Sequence, residues 1–280
     1  MQGKPPSPWS PDRRPATGKS RAAPGAGQAS SRELGEGARN ECRIYGFNAV
    51  RAVFGKRPEA IRKLYLLESR IGELKPLLAW CVKHRVGYRV VEERGLDRLA
   101  GSAHHEGVVA DVLRAEPEPL ADWLARIGAG AQCAIWLDGV GNPHNFGAIL
   151  RSAAHFGVGA VLLPQGSTLA LSGAAARVAE GGAEAVPLVR LPSPHEALSQ
   201  LRDAGFALAA TVVRGGGDLF AQALPSRLVY VMGAEGEGMD AGLAAQCDLR
   251  LSIPGTGAVE SLNVAAATAV FLAQWRRSLR

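Results

Sequence analysis

Three glycine-rich segments contain the side chains of this sequence that are best suited to chemistry. They are GVGNPHN at 139–145, GAEGEG at 233–238 and PGTGAVESLN at 254–263. Glycine has no Cβ, so a backbone rich in it can approach a ligand closely. The polar or charged side chains in or beside these segments are Asn145, Arg151, Glu235, Ser261 and Asn263.

The segments do not match the common phosphate-binding loops. GVGNPHNFG at 139–147 contains the first two glycines of GxGxxG without its spacing, and GxxxxGK[ST] is absent. A dinucleotide enzyme of the Rossmann type is therefore disfavoured. Arg151 alone has two interpretations, a solvated helix residue or a site residue directed at an anion, and for an isolated arginine the first is more common.

Apolar strands and helices must position these segments. Ile135–Leu137 precedes the first segment, and apolar residues spaced three and four apart predict a helix over 145–156 that ends at Gly157. Apolar strands also precede the other two segments, and a long helix follows the third. The alternation predicts an α/β fold with a parallel sheet covered on both faces and a ligand at the carboxyl ends of its strands.

Composition divides the chain into four parts. Residues 1–41 predict a disordered basic tail, 42–114 a small α/β domain, 115–132 a linker, and 133–280 the parallel-sheet domain. The tail is either a basic arm for non-specific nucleic-acid contact or a solubilising extension.

Charge and cysteine content restrict the class of protein. A net charge of +6 favours a polyanionic partner. The four cysteines, at 42, 81, 133 and 247, lack metal-ligand or redox spacing, which predicts reduced thiols in a cytoplasmic protein. We expect no metal site, no membrane span and no signal peptide.

The three segments together carry a resemblance to a known family. LDGVGNPHNFGAILRSAAHFG, LVYVMGAEGEGM and LSIPGTGAVESLNVAAATAVFL resemble, in order and separation, the three motifs of the SpoU/TrmH family of RNA ribose 2′-O-methyltransferases. This resemblance covers about 133–280. Residues 43–113 are similar to the small substrate RNA-binding domain that precedes the catalytic domain in many members.

The resemblance implies a trefoil-knotted parallel-sheet domain, a homodimer, and S-adenosylmethionine as the cofactor. At matching positions, Gly233, Ile253 and Leu262 would bind the cofactor, largely through backbone groups. Arg151 would be the catalytic arginine. The polar motif residues that order the site would be Asn145, Glu235, Ser261 and Asn263.

The implied reaction transfers a methyl group from the sulfonium of S-adenosylmethionine to a ribose 2′-hydroxyl of rRNA or tRNA. The hydroxyl is a poor nucleophile and needs positioning and a route for its proton. Arg151 either clamps a neighbouring phosphate or loses its proton transiently, although guanidinium normally stays protonated. The alternative function is an RNA-binding or assembly protein on the same fold without turnover.

A few positions depart from the commoner family pattern. They are Asn142, Gly255, Glu106 and the segment 179–182. These departures bear on the choice of substrate more than on the reaction, because the core motif positions match.

Overall fold

The computed structural model describes residues 40–280 apart from Glu235 and Glu237. The predicted tail at 1–41 therefore lies outside the described residues, except for its last two positions. Glu41 already begins the first strand. Within the described part of the chain, no helix is long and apolar enough to cross a membrane.

The first part of the described chain is a small sheet with helices, as predicted. Its strands are β1 (Glu41–Tyr45), β2 (Ile61–Leu66), β3 (Gly87–Val90) and β4 (Val108–Leu113). They lie in the order β1-β4-β2-β3, with β4 antiparallel to both neighbours and β2 parallel to β3. The helices are α1 (Phe47–Lys56), α2 (Lys75–His84) and α3 (Glu93–Ala100), and short 3₁₀ turns span Pro58–Ala60 and Glu68–Arg70.

The second part is built on a larger sheet in the order β10-β12-β9-β11-β6-β7-β8-β5. Its strands are β5 (Glu118–Pro119), β6 (Gln132–Leu137), β7 (Ala160–Leu163), β8 (Leu188–Arg190), β9 (Ala207–Thr211), β10 (Gly217–Asp218), β11 (Arg227–Met232) and β12 (Leu249–Ser252). Every neighbouring pair is parallel. The helices are α4 (Leu120–Arg126), α5 (Pro143–Phe156), α6 (Gly173–Ala179), α7 (Gly182–Ala185), α8 (Pro194–Asp203), α9 (Ala241–Ala245) and α10 (Val264–Ser278).

Strand β6 is apolar at successive positions because both of its faces are buried. Cys133, Ile135 and Leu137 pack into one hydrophobic core, and Ala134 and Trp136 pack into another on the opposite face of the sheet. A parallel strand covered by helices on both faces needs apolar residues at every position. The predicted doubly covered parallel sheet is thus confirmed.

Helix α5 begins two residues earlier than the sequence pattern predicts. Asn142 is the N-cap, and its side chain accepts hydrogen bonds from the backbone amides of His144 at 2.8 Å and Asn145 at 3.3 Å. Pro143 at the first helical position lacks an amide hydrogen that would need a partner. Gly157 ends the helix with φ 75°, as predicted.

The segment predicted as a linker, 115–132, is packed onto the larger sheet. It contains β5, which pairs with β8, and α4. Trp123 of α4 is 1% exposed and donates from its ring Nε1 to the carbonyl oxygen of Gly159 at 3.2 Å. Because the segment starts with several prolines, its sequence predicted neither the strand β5 nor the burial of Trp123.

The strand order reverses at β6, which has β7 on one side and β11 on the other. In open α/β sheets, ligands bind at the carboxyl ends of the strands near such a reversal. The trefoil knot stays a prediction.

Candidate functional site

A cavity of about 770 Å³ lies at the carboxyl ends of β9, β11 and β12. This volume suits a drug-sized or cofactor-sized ligand. Five of the eight residues predicted for the site line it, namely Gly233, Ile253, Ser261, Leu262 and Asn263. The second and third glycine-rich segments therefore meet at one site.

Two glycines allow the loops of this site to approach each other closely. A Cβ on Gly233 would lie 2.5 Å from the backbone carbon of Gly238 and the backbone nitrogen of Met239. Gly139, with φ 77°, lies so close to the loop after β11 that its Cβ would be 3.1 Å from Cβ of Ala234. These positions require glycine because any side chain would push the strand-end loops apart.

A hydrogen bond between two asparagines joins the first and third segments. The Nδ2 of Asn263 donates to Oδ1 of Asn145 at 3.0 Å. Asn263 is also the N-cap of α10, where its Oδ1 accepts from the amides of Ala265 at 2.9 Å and Ala266 at 3.4 Å. One side chain thus caps a helix and connects it to α5.

The cavity wall combines apolar side chains with backbone polar groups. Met232, Ile253 and Phe271 line it, and two lining residues expose much of their apolar surface: Leu262 is 48% exposed and Val259 is 71% exposed. Exposed apolar side chains of this size beside a cavity are typical of a binding surface for a ligand with an apolar face.

Arg151 lies on the exposed side of α5 and does not line this cavity. It lies six positions after Asn145 in the helix, which corresponds to about 9 Å along the axis. Helix α7 packs closely on the backbone at Arg151. A Cβ on Gly182 of this helix would lie only 3.0 Å from Cα of Arg151. The structure therefore brings Asn145 to the third segment and leaves the Arg151 side chain at the surface.

Glu235 lies outside the described residues. Among the residues that are described, no group of three or more His, Cys, Asp or Glu side chains could hold a metal ion.

Sequence reasoning missed the loop after β9. Thr211 at the end of β9 and Val213 and Arg214 of this loop line the cavity. The signal was present, since the apolar strand 206–213 runs into Gly215, Gly216 and Gly217. This is a fourth glycine-rich strand end of the kind that identified the others.

Two charged clusters attach the small sheet domain to the α6–α7 segment. Arg57 donates from Nε and Nη2 to the carboxylate of Glu184, both at 2.8 Å, and their side chains are only 17% and 9% exposed. Hydrogen bonding to Glu184 raises the pKa of Arg57. Arg177 pairs with Glu106 at 2.6 Å and also with Glu180. The segment that supports Arg151 therefore also holds the small domain.

Two family patterns match the chain over the parts that form this site. Residues 132–273 match the SpoU rRNA Methylase family, and residues 43–118 match the domain described as RNA 2′-O ribose methyltransferase substrate binding. The chain belongs to the SpoU rRNA methylase family. The match to the methylase family begins at the first residue of β6, and the match to the substrate-binding domain contains β2, β3, β4 and most of β1.

Curated relatives share more than a third of the sequence. The chain is 39% identical over 237 residues to a protein of Escherichia coli O157:H7 named "uncharacterized tRNA/rRNA methyltransferase YfiF", a match that covers 85% of this chain and 68% of that protein. It is 36% identical over 233 residues to the 23S rRNA (guanosine-2′-O-)-methyltransferase RlmB of Vibrio vulnificus, covering 82% and 94%.

Solved structures share the fold at lower identity. An rRNA methyltransferase from Sinorhizobium meliloti, solved with S-adenosylmethionine (AdoMet) bound, superposes with a TM-score of 0.73 at 22% identity, covering 89% of this chain and 91% of that one. The SpoU methyltransferase AviRb from Streptomyces viridochromogenes, also in complex with AdoMet, superposes with a TM-score of 0.71 at 22% identity, covering 89% and 94%. These matches agree with the order of parallel strands described above.

Proposed function

We propose that this protein is an RNA methyltransferase that transfers a methyl group from AdoMet to a ribose 2′-hydroxyl of rRNA or tRNA. The observation that carries the proposal is the meeting of the motif loops at one cavity, with the Asn145–Asn263 hydrogen bond joining the first motif to the third. Family membership and the RlmB relatives support the same reaction.

The cavity has the composition that AdoMet needs. Its apolar lining offers contacts for an adenine ring, and the backbone at Gly233, Ile253 and Leu262 offers hydrogen-bonding groups to a ligand of the cavity. At Gly233 the ligand can approach closely because this residue has no side chain. The bound cofactor supplies a sulfonium methyl group that a nucleophile can attack in line. The protein's contribution is to hold the ribose hydroxyl against that methyl group and to exclude water.

Arg151 is proposed to act on the RNA rather than on the cofactor. It is exposed and lies outside the cofactor cavity of its own chain. Guanidinium forms strong paired hydrogen bonds with phosphate. Arg151 therefore clamps the phosphate next to the target ribose and aligns the 2′-hydroxyl; transient loss of its proton to make it the base is the second possibility. Asn145, Ser261, Asn263 and Glu235 complete the polar part of the proposed site.

The proposed active form is a homodimer in which each Arg151 serves the site of the other subunit. The placement of Arg151 away from its own cavity supports this arrangement. It is tested by mixing Arg151→Ala subunits with Gly233→Val subunits, in which the added side chain forces apart the loops that form the cavity. If the arginine acts across the dimer, hybrids contain one complete site, and a 1:1 mixture regains about a quarter of the wild-type activity. If it acts within its own chain, the mixture stays inactive.

The small domain is proposed to bind the RNA, and the cytoplasm is the proposed location. The substrate-binding match at 43–118 supports the first point, and the four free thiols support the second.

The reaction is tested by two measurements on the same preparations. Calorimetry measures AdoMet binding, and transfer of tritium from methyl-labelled AdoMet to bulk RNA measures turnover. Arg151→Ala should abolish transfer and leave AdoMet affinity within about tenfold, because it aligns substrate rather than cofactor. Retained RNA affinity without AdoMet binding or transfer would instead favour an RNA-binding or assembly protein.

A further inference from the structure

The cofactor cavity contains one basic side chain among its described lining residues, Arg214. The other charged lining residue that the structure describes is Glu260, from the loop after β12. Arg214 is exposed, and within the described residues it has neither a hydrogen bond nor an ion pair that would hold its guanidinium elsewhere. Its charge is therefore available to a ligand of the cavity.

The loop that carries Arg214 is fixed at both ends. Thr211 donates from its hydroxyl to the carbonyl oxygen of Val231 at 2.8 Å, and the amide of Val212 donates to the carbonyl oxygen of Leu251 at 2.9 Å. Beyond the arginine, Gly216 packs so closely that a Cβ would lie 2.8 Å from the backbone carbon of Leu251. Arg214 is thus presented by a short, anchored loop, which limits the conformational entropy lost when it binds a ligand.

AdoMet contains a single anionic group at neutral pH, the carboxylate of its amino-acid part. An arginine side chain matches a carboxylate with two parallel charge-assisted hydrogen bonds. We infer that Arg214 binds this carboxylate and so orients the amino-acid part of the cofactor. The inference rests on the proposed function, since it assigns a residue to the cofactor of that reaction.

The test compares thioether ligands that differ only in the amino-acid part. S-adenosylhomocysteine carries both the amine and the carboxylate, its decarboxylated analogue keeps the amine alone, and 5′-methylthioadenosine lacks both. Calorimetry on the full chain measures each ligand with the wild type, Arg214→Gln, Arg214→Lys and the control Arg250→Gln. Arg250 is exposed and lies outside the cavity lining, so its variant changes the net charge equally.

We expect Arg214→Gln to weaken S-adenosylhomocysteine about tenfold, the size expected for a charge-assisted hydrogen bond at a partly exposed site. Binding of 5′-methylthioadenosine and of the decarboxylated analogue should change less than about twofold. Arg214→Lys should recover part of the loss, and Arg250→Gln should have no effect. Unchanged binding of 5′-methylthioadenosine also shows that the variant is folded.

Two results would overturn the inference while leaving the proposed function intact. Equal losses for all three ligands would mean that Arg214 shapes the cavity. Unchanged S-adenosylhomocysteine affinity with weakened RNA binding would mean that Arg214 faces an RNA phosphate. Failure of the wild type to bind either AdoMet or S-adenosylhomocysteine would overturn the proposed function, and the inference with it.

Discussion

Helix α5 carries both Asn145 and Arg151, and a single glycine determines how closely it packs on α6. A Cβ on Gly147 would lie 2.4 Å from the carbonyl oxygen of Ala175 and 2.8 Å from Cβ of Val178. Ordinary contact begins near 3.4 Å, so Gly147→Ala must open this contact by about 1 Å. Overpacking of this kind costs about 1–3 kcal/mol, offset by about 0.5–1 kcal/mol because alanine favours a helix. The net expected loss is about 0–2.5 kcal/mol, with a central value of about 1 kcal/mol.

Gly55 in α1 is the matched control, because an added Cβ there meets nothing within 4 Å. Gly55→Ala should stabilise the protein by about 0.5 kcal/mol. Urea unfolding measures both free energies at equal protein concentration, and the midpoint separates the variants if the slope m is unchanged. We also expect methyl transfer to fall in Gly147→Ala, because α5 moves relative to α6. A shift of the free energy of unfolding in the same direction for both substitutions would contradict the close packing of α5 on α6 at Gly147.

Three further predictions follow from the small domain, the thiols and the tail. Glu184→Gln leaves the Arg57 guanidinium without its carboxylate and should lower the free energy of unfolding, measured by thermal unfolding, by about 2–3 kcal/mol. The control Glu73→Gln, at an exposed pair with Arg70, should lower it by less than about 1 kcal/mol. Equal losses of stability in the two variants would mean that burial of the Arg57 pair is irrelevant. Burial raises the pKa of Cys247 to about 11, from an unfolded value of 9.0, so its contribution to stability is complete below pH 9 and is lost as the pH rises through 11. In Cys247→Ala the urea unfolding midpoint should therefore decrease less steeply between pH 9 and 11 than in the wild type. The same pH dependence of the midpoint in both proteins would contradict this cause. RNA affinity should fall steeply as the salt concentration rises. Deletion of residues 1–40 should reduce this salt dependence while unfolding by urea stays unchanged. An equal salt dependence in both proteins would mean that the tail does not contact the RNA.

The strands and helices were largely predictable because the residues that determine them lie within each element or next to it in the sequence. Alternate burial of Cys133 and Ala134 on opposite faces makes β6 apolar throughout, and Gly157 stops α5 as its sequence position indicates. The start of α5 was missed by two residues because the N-cap is Asn142, which also stands where the family pattern more often has another residue. The segment 115–132 was read as a linker because its proline-rich start hides the burial of Trp123, which only tertiary packing reveals.

The candidate site was predictable where its residues belong to glycine-rich strand ends. Asn263 was expected to order the site, but its double role as helix cap and hydrogen-bond partner of Asn145 depends on two segments 118 residues apart in sequence. Arg214 was missed because the glycine-rich strand end at 215–217 belongs to none of the three motifs that carry the family resemblance, so only the neighbouring strands show that its loop lines the cavity. The position of Arg151 outside its own cavity depends on the packing of α5, which residue spacing alone does not determine.

The proposed reaction places the methyl group on ribose rather than on a base. Alkaline cleavage of RNA requires a free 2′-hydroxyl to attack the adjacent phosphate, so a 2′-O-methyl group protects that linkage. RNA from a strain lacking this protein is incubated with the wild type and methyl-labelled AdoMet, then hydrolysed in alkali and separated by size. We predict that the label appears in alkali-resistant dinucleotides and is lost with Arg151→Ala. Label in mononucleotides would mean that a base is methylated and would contradict the proposed reaction.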